Sequence, residues 1–237
     1  MGGATLGAGV SGDPAPALAH NPGPIVPGSL GVFGGTFDPI HLAHLAVAQE
    51  AAEALGLERV LFVPAGRPPH KPDRVIAPGA HRLAMVELAI VGNSRFEVDD
   101  LELKRDGPSY TVDTLEALRT THAVGGRPPE LTLILSVEAL LELMTWREPR
   151  RVLELARMAV APRDGHPNAG PAFLAEHLPD LADRVAFLDG PRIRLSASEL
   201  RQRVATGRTL RYLVPDAVAA YIDDHGLYRN PWRNDQS

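Results

Sequence analysis

Apolar runs of strand length alternate along this chain with stretches in which apolar residues recur every three to four positions. The first kind predicts strands at Leu30–Phe33, Val60–Pro64, Phe96–Val98, Leu131–Leu135, Met158–Ala161 and Val185–Leu188. The second predicts helices that include Pro39–Leu55, His81–Val91, Val112–Arg119, Glu138–Met144, Ala197–Ala205 and Asp216–Asp224. Val60-Leu61-Phe62-Val63 and Leu131-Thr132-Leu133-Ile134-Leu135 are nearly continuous apolar runs, which suits strands covered on both faces in a parallel sheet. Alternation of such strands with helices predicts an α/β domain: a Rossmann-like, doubly wound parallel sheet with helices on both faces and a small C-terminal helical part. Residues 1–29 are rich in Gly, Pro and Ala without periodicity and are expected to be a disordered leader. The folded domain is expected over 30–228, with a flexible tail at 229–237. Ligands of such folds sit beyond the carboxyl ends of the strands, so the segment after Phe33 is where chemistry is expected.

Composition narrows the chemistry. The chain has 237 residues, 44% of them hydrophobic, which suits one domain that buries its own core. It contains no cysteine, so disulfides, zinc–thiolate centres and thiol catalysis are excluded. The net charge is -5 and no Lys/Arg-rich run marks a nucleic-acid groove. No apolar run approaches the roughly 18–20 residues that span a bilayer, and the N-terminus lacks the charged and apolar regions of a signal peptide. Met1-Gly2 does not make a myristoylation signal, because Leu6 stands where Ser or Thr is required. A cytoplasmic protein is expected. Oligomeric state is open, with a homo-oligomer possible.

Gly31–Glu50, GVFGGTFDPIHLAHLAVAQE, places a strand, a glycine pair and a helix start within a few residues. Asp38-Pro39 has the form of an N-cap followed by an N1 proline. A helix starting there carries His41 in its first turn and His44 three residues on, on the same face. Gly34 and Gly35 let backbone approach a ligand closely. Free N–H groups and the positive end of the helix dipole complete an anion site built of donors with little fixed charge. Two solvated histidines are the bland alternative for HxxH in isolation. A metal reading has no third ligand nearby, and no Walker loop is present.

GGTFDPIHLAHL resembles the signature of nucleotidyltransferases with a T/HxGH motif. VPAGRPPHK (Val63–Lys71), GPSYTVDTL (Gly107–Leu115), MTWRE (Met144–Glu148) and SASELRQRVATGRTLRYLVPDAVAAYI (Ser196–Ile222) narrow the resemblance to bacterial nicotinate-nucleotide adenylyltransferases. It extends from Leu30 to about Tyr228. The resemblance implies transfer of AMP from ATP to nicotinate mononucleotide, giving deamido-NAD and pyrophosphate in NAD biosynthesis. It implies His41, His44 and Arg201 as catalytic groups on the phosphates. ATP would be bound by Gly34, Gly35, Thr36, Phe37, Ser136, Glu138, Ser196 and Ser198. Lys71 and His70 would meet the mononucleotide phosphate. Trp146 would stack on the pyridine, with Thr111 and Arg147 by its carboxylate. Mg²⁺ is expected to arrive with ATP, held by substrate and water. Both substrates are small molecules; neither nucleic acid nor membrane is an expected partner.

Three departures from the family pattern stand out. Ala43 replaces the glycine of HxGH, Ser136-Val137-Glu138 replaces a Gly-x-Asp, and Ala197 takes the second place of the serine-rich motif. They bear on nucleotide binding more than on phosphate chemistry. Nicotinamide mononucleotide is the competing acceptor. A degenerate, non-catalytic nucleotide binder is the competing class. An aminoacyl-tRNA synthetase shares an HIGH-like stretch, but this chain is short, is not basic and lacks a lysine-rich second signature.

Overall fold

The computed structural model describes residues 24–66, 77–162 and 169–229. Six strands run through it: β1 Val26–Gly35, β2 Leu57–Pro64, β3 Phe96–Val98, β4 Glu130–Ser136, β5 Ala156–Ala161 and β6 Val185–Phe187. All pairings are parallel and the order is β3-β2-β1-β4-β5-β6. Parallel neighbours need crossovers, and the helices supply them: α1 Leu42–Ala54, α2 Gly79–Ile90, α3 Thr111–Thr121, α4 Val137–Leu141, α5 Pro149–Leu155 and α6 Ala169–His177. The chain then closes with α7 Ala197–Ala205 and α8 Asp216–Asp224. The doubly wound parallel sheet expected from the sequence is the observed fold.

Side-chain alternation along the strands sends residues into two apolar layers. Val32, Leu61, Leu131, Leu133 and Leu135 face one layer, with Leu115, Leu118 and Leu140 from the helices. Phe33, Phe62 and Ile134 face the other, with Ala48, Met85 and Val218. Strand order reverses between β1 and β4, and there the two crossovers leave on opposite faces. Such a switch point opens a crevice at the carboxyl ends of the strands.

Several boundaries differ from the sequence expectations. β1 begins at Val26, inside the stretch expected to be leader. Buried Ser29 explains its order: its hydroxyl donates to the Val26 carbonyl at 2.6 Å and accepts from the Glu58 N–H at 3.0 Å. α1 begins at Leu42 rather than Pro39, and its N-cap is His41. Asp38 therefore does not cap and Pro39 is not N1; the Asp38–Pro39 peptide is cis. The helix expected over Glu138–Met144 is α4 followed by a 3-10 turn at Leu143–Thr145. α5 and α6 were absent from the sequence expectations, each being short and apolar enough to read as the flank of a strand.

Candidate active site

A cleft of about 1080 Å³ opens at the β1/β4 switch point. Its walls include Gly34 and Gly35 from the end of β1, His41 and His44, Ser136 from the end of β4, and Ser196 and Ser198 at the start of α7. Thr111, Trp146 and Arg147 line the same cleft. Residues from five separated segments expected at the site thus share one wall. Among the described residues, four others expected there do not line it: Thr36, Phe37, Glu138 and Arg201. His70 and Lys71 lie outside the described residues.

The histidine pair is built by the turn before α1. His41 is buried and stacks on His44, with ring centroids 3.7 Å apart and planes 18° from parallel. The His41 N–H donates to His44 Nδ1 at 3.2 Å. With Nδ1 accepting, neutral His44 carries its proton on Nε2, where it is a donor. Burial lowers the His41 pKa to about 4. Burial, and then the neighbouring His41 charge, push His44 well below the ordinary histidine value. The pair is therefore neutral near pH 7: two donors without fixed charge.

The two glycines have separate tasks. A Cβ on Gly34 would meet nothing within 4 Å, so its backbone is bare toward the cleft. A Cβ on Gly35 would lie 2.9 Å from the Phe37 ring. Phe37 is a core residue, 2% exposed, edge-on to Phe33 and His44. Its backbone is expected at the nucleotide from the sequence; its ring packs in the core against the histidine turn. The Thr36 carbonyl accepts from Arg82 Nη1 at 2.9 Å, so this residue too braces the turn.

Ser136 is the N-cap of α4 and accepts from the Ala139 N–H at 3.3 Å. Ser196 is the N-cap of α7 and accepts from the Glu199 N–H at 3.4 Å. Both hydroxyls have capping tasks while standing at the cleft. Glu138 falls in the first turn of α4. Arg201 reaches back from α7. Its Nη1 donates to the Asp38 carbonyl at 2.7 Å and lies 3.4 Å from Asp38 Oδ2, and its Nη2 donates to Ser198 Oγ at 3.1 Å.

At the other end, α3 opens on Thr111 after Tyr110, whose side chain makes no capping hydrogen bond. The first N–H groups of this helix thus have no N-cap side chain to accept from them, and Thr111 stands at the cleft. Beside them Ser109 is 8% exposed, and its hydroxyl has no hydrogen-bond partner among the described residues. Trp146 packs partly against the core while lining the cleft. Arg147 lies over the Tyr110 ring, 5.0 Å from its centroid, and pairs with Asp113 at 3.3 Å. Glu102 was not foreseen. Burial raises its pKa, while Thr114 Oγ at 2.7 Å and the Gly66 N–H at 3.3 Å donate to it. Arg82, 2% exposed on α2, was also missed; a charged residue inside an apolar helix stripe was the available signal. Among the described residues, no three His, Cys, Asp or Glu side chains come together to hold a metal ion. Nor is any helix long and apolar enough to cross a membrane.

A parallel sheet of this order, with glycines, neutral histidines and helix N-termini meeting at its switch point, defines an α/β nucleotide-binding protein with an anion cleft. Residues 32–203 match the family described as cytidylyltransferase-like. A protein of Roseiflexus sp. (strain RS-1) named "Probable nicotinate-nucleotide adenylyltransferase" is 51% identical over 200 residues, covering 84% of this chain and 98% of its own. One of the same name from Thermomicrobium roseum is 48% identical over 200 residues, covering 84% and 91%. Among solved structures, the Plasmodium falciparum nicotinic acid mononucleotide adenylyltransferase complexed with NaAD superimposes with a TM-score of 0.69. That match has 19% identity over 85% of this chain and 97% of that one, a likeness of fold. The chain belongs to the cytidylyltransferase-like family, among the nicotinate-nucleotide adenylyltransferases.

Proposed function

We propose that the protein joins nicotinate mononucleotide to the AMP part of ATP, giving deamido-NAD and pyrophosphate. One observation carries this reading. The stacked histidines and the Thr111–Trp146 pocket, distant in sequence, line a single cleft. A phosphate-handling end and a ring-binding end in one crevice suit two nucleotides meeting phosphate to phosphate.

In the transfer, an oxygen of the mononucleotide phosphate forms a bond to the α-phosphorus of ATP. The bond from that phosphorus to the bridging oxygen breaks, and pyrophosphate leaves with the electron pair. The attacking phosphate is already ionised, so alignment and charge stabilisation matter more than a base. His44 Nε2–H and the His41 ring are donors for the charge developing at the α-phosphorus. Bare backbone at Gly34 lets the phosphates approach. Ser196, Ser198 and the N-terminus of α7 meet the triphosphate, and Arg201 acts on it from behind Ser198. Ser136 and Glu138 belong to the adenosine side. Lys71 and His70 are assigned to the mononucleotide phosphate. No cluster of His, Asp or Glu among the described residues would hold Mg²⁺, so the ion would come with ATP and would supply neutralisation of phosphate charge.

Selection of the acid over the amide falls to the start of α3. Its first N–H groups and the Ser109 hydroxyl are donors suited to a carboxylate. An amide NH₂ presented there would set donor against donor. Trp146 stacks on the electron-poor pyridine, and Arg147 adds positive charge at the rim. The test is pyrophosphate release from ATP and Mg²⁺ with nicotinate or nicotinamide mononucleotide supplied separately. Marked preference for the acid is the expected result. Preference for the amide would overturn the carboxylate assignment and leave the phosphate chemistry standing. No release with either, from folded protein that binds ATP, would leave a nucleotide binder.

A further inference from the structure

We propose that Asp38 and Tyr228 are positioning residues for Arg201, acting on the reaction from behind the cleft. This rests on the reading of Arg201 and Ser198 as phosphate-binding groups. Asp38 is 1% exposed and sits where three remote segments converge. Its Oδ1 accepts from the Ala77 N–H at 3.1 Å, just before α2, and from the Tyr228 hydroxyl at 2.7 Å, four residues after α8. Its Oδ2 faces Arg201 Nη1 at 3.4 Å, and its main-chain carbonyl takes a hydrogen bond from the same nitrogen at 2.7 Å. Arg201 is thus gripped on one arm of its fork. The other arm is left to reach Ser198 Oγ at 3.1 Å, and Ser198 lines the cleft.

The arrangement is directional. A guanidinium held by a single carboxylate swings about the axis of that contact. The extra bond to the Asp38 carbonyl removes the swing, and the phenol of Tyr228 fixes the carboxylate that faces the same nitrogen. Two non-glycine residues with left-handed backbone belong to this neighbourhood: Phe37 at φ 49°, which precedes Asp38 in the chain, and Tyr228 at φ 64°, whose hydroxyl donates to it. Such conformations persist only where the surroundings over-determine them. Burial, and then the Asp38 charge, keep Tyr228 protonated far above the ordinary phenol range, so it remains a donor. Asp38 also immediately precedes the histidine turn, through Pro39 and Ile40. The network therefore sets the α7 serine edge and the histidine edge of the cleft relative to one another.

The experiment is a double-mutant cycle in the full-length chain, with Tyr228→Phe and Arg201→Lys assayed singly and together, beside thermal melting of each variant. Tyr228→Phe deletes one hydroxyl and leaves Asp38 bonded to Ala77 and Arg201. It should lower kcat about tenfold and leave KM for nicotinate mononucleotide within about twofold. In the double variant kcat should fall within about twofold of Arg201→Lys alone, because one interaction is lost by either route. A Tyr228→Phe protein with a lowered melting temperature and unchanged kcat would make the contact structural and overturn the proposal. Fully additive losses would do the same, by separating Tyr228 from Arg201. If Arg201→Lys itself has wild-type kinetics, the phosphate role of Arg201 fails first. If Tyr228→Phe melts too low to assay, Asp38→Asn replaces it in the cycle. That variant keeps an acceptor for Ala77 and Tyr228 while losing the charge that grips Arg201.

Discussion

His44 shows how surroundings set the tautomer and charge of one side chain. Its Nδ1 is occupied by the His41 N–H, which leaves Nε2–H as the donor, and burial keeps the ring neutral. Replacing His44 with Ala should lower kcat and kcat/KM together by about 10²–10³, the usual cost of one transition-state donor. Circular dichroism should be unchanged, and steady-state kinetics at saturating ATP is the check. Near-wild-type turnover would remove His44 from the mechanism. The pair HxxH was legible in the sequence, and so was its proximity to a glycine turn. That Asp38 points away from α1, into a buried cluster with Arg201 and Tyr228, was not. Asp-Pro before a helical pattern carries the same local signal whether or not the carboxylate caps.

At the scale of elements, the four central strands were legible because both faces of each are buried, so their residues form short apolar runs with turn residues between. Boundaries were less so. The sequence before Leu30 looks like leader, being rich in Gly and Pro, yet Val26 pairs with Leu57 and Ser29 with Glu130 in the sheet. Deleting residues 1–29 should therefore lower the melting temperature by several degrees relative to the full chain, through loss of this pairing and of the buried Ser29 hydroxyl. Differential scanning calorimetry of the two proteins reads this directly. An unchanged melting temperature would show that β1 is stable from Leu30 alone. The N-termini of α3 and α7 were each placed within a residue by the sequence pattern. Their convergence on one cleft depends on crossovers packing on opposite faces of the sheet, and helix periodicity carries no information about that.

For the whole molecule, the stacked histidines couple the cleft to stability. Both have native pKa values below the ordinary 6.5, so below that pH the unfolded chain binds protons that the native protein refuses. Their contribution is intact above about pH 6.5 and is lost as pH falls toward about 4, the His41 value. Stability measured by urea unfolding should thus decline more steeply between pH 6.5 and 4 in the wild type than in His41→Asn. Equal slopes would show that the imidazoles protonate freely in the native state.

The order of apolar and polar residues determined by itself that this chain builds a parallel α/β sheet, because solvent exclusion on both faces requires it. The run GGTFDPIHLAHL likewise marked where along the chain a site was to be expected, and Gly34, Gly35, His41 and His44 from it line the cleft. Tertiary structure alone decided which remote groups share the cleft wall, and which of the expected groups stand behind it. Phe37 is core, Arg201 is a braced arm, and Arg82, Glu102 and Tyr228 take their places only when segments far apart in sequence are brought into contact. The physical reason is that burial and hydrogen bonding between distant segments set both the orientation and the protonation of these groups. Neither is a property of local sequence.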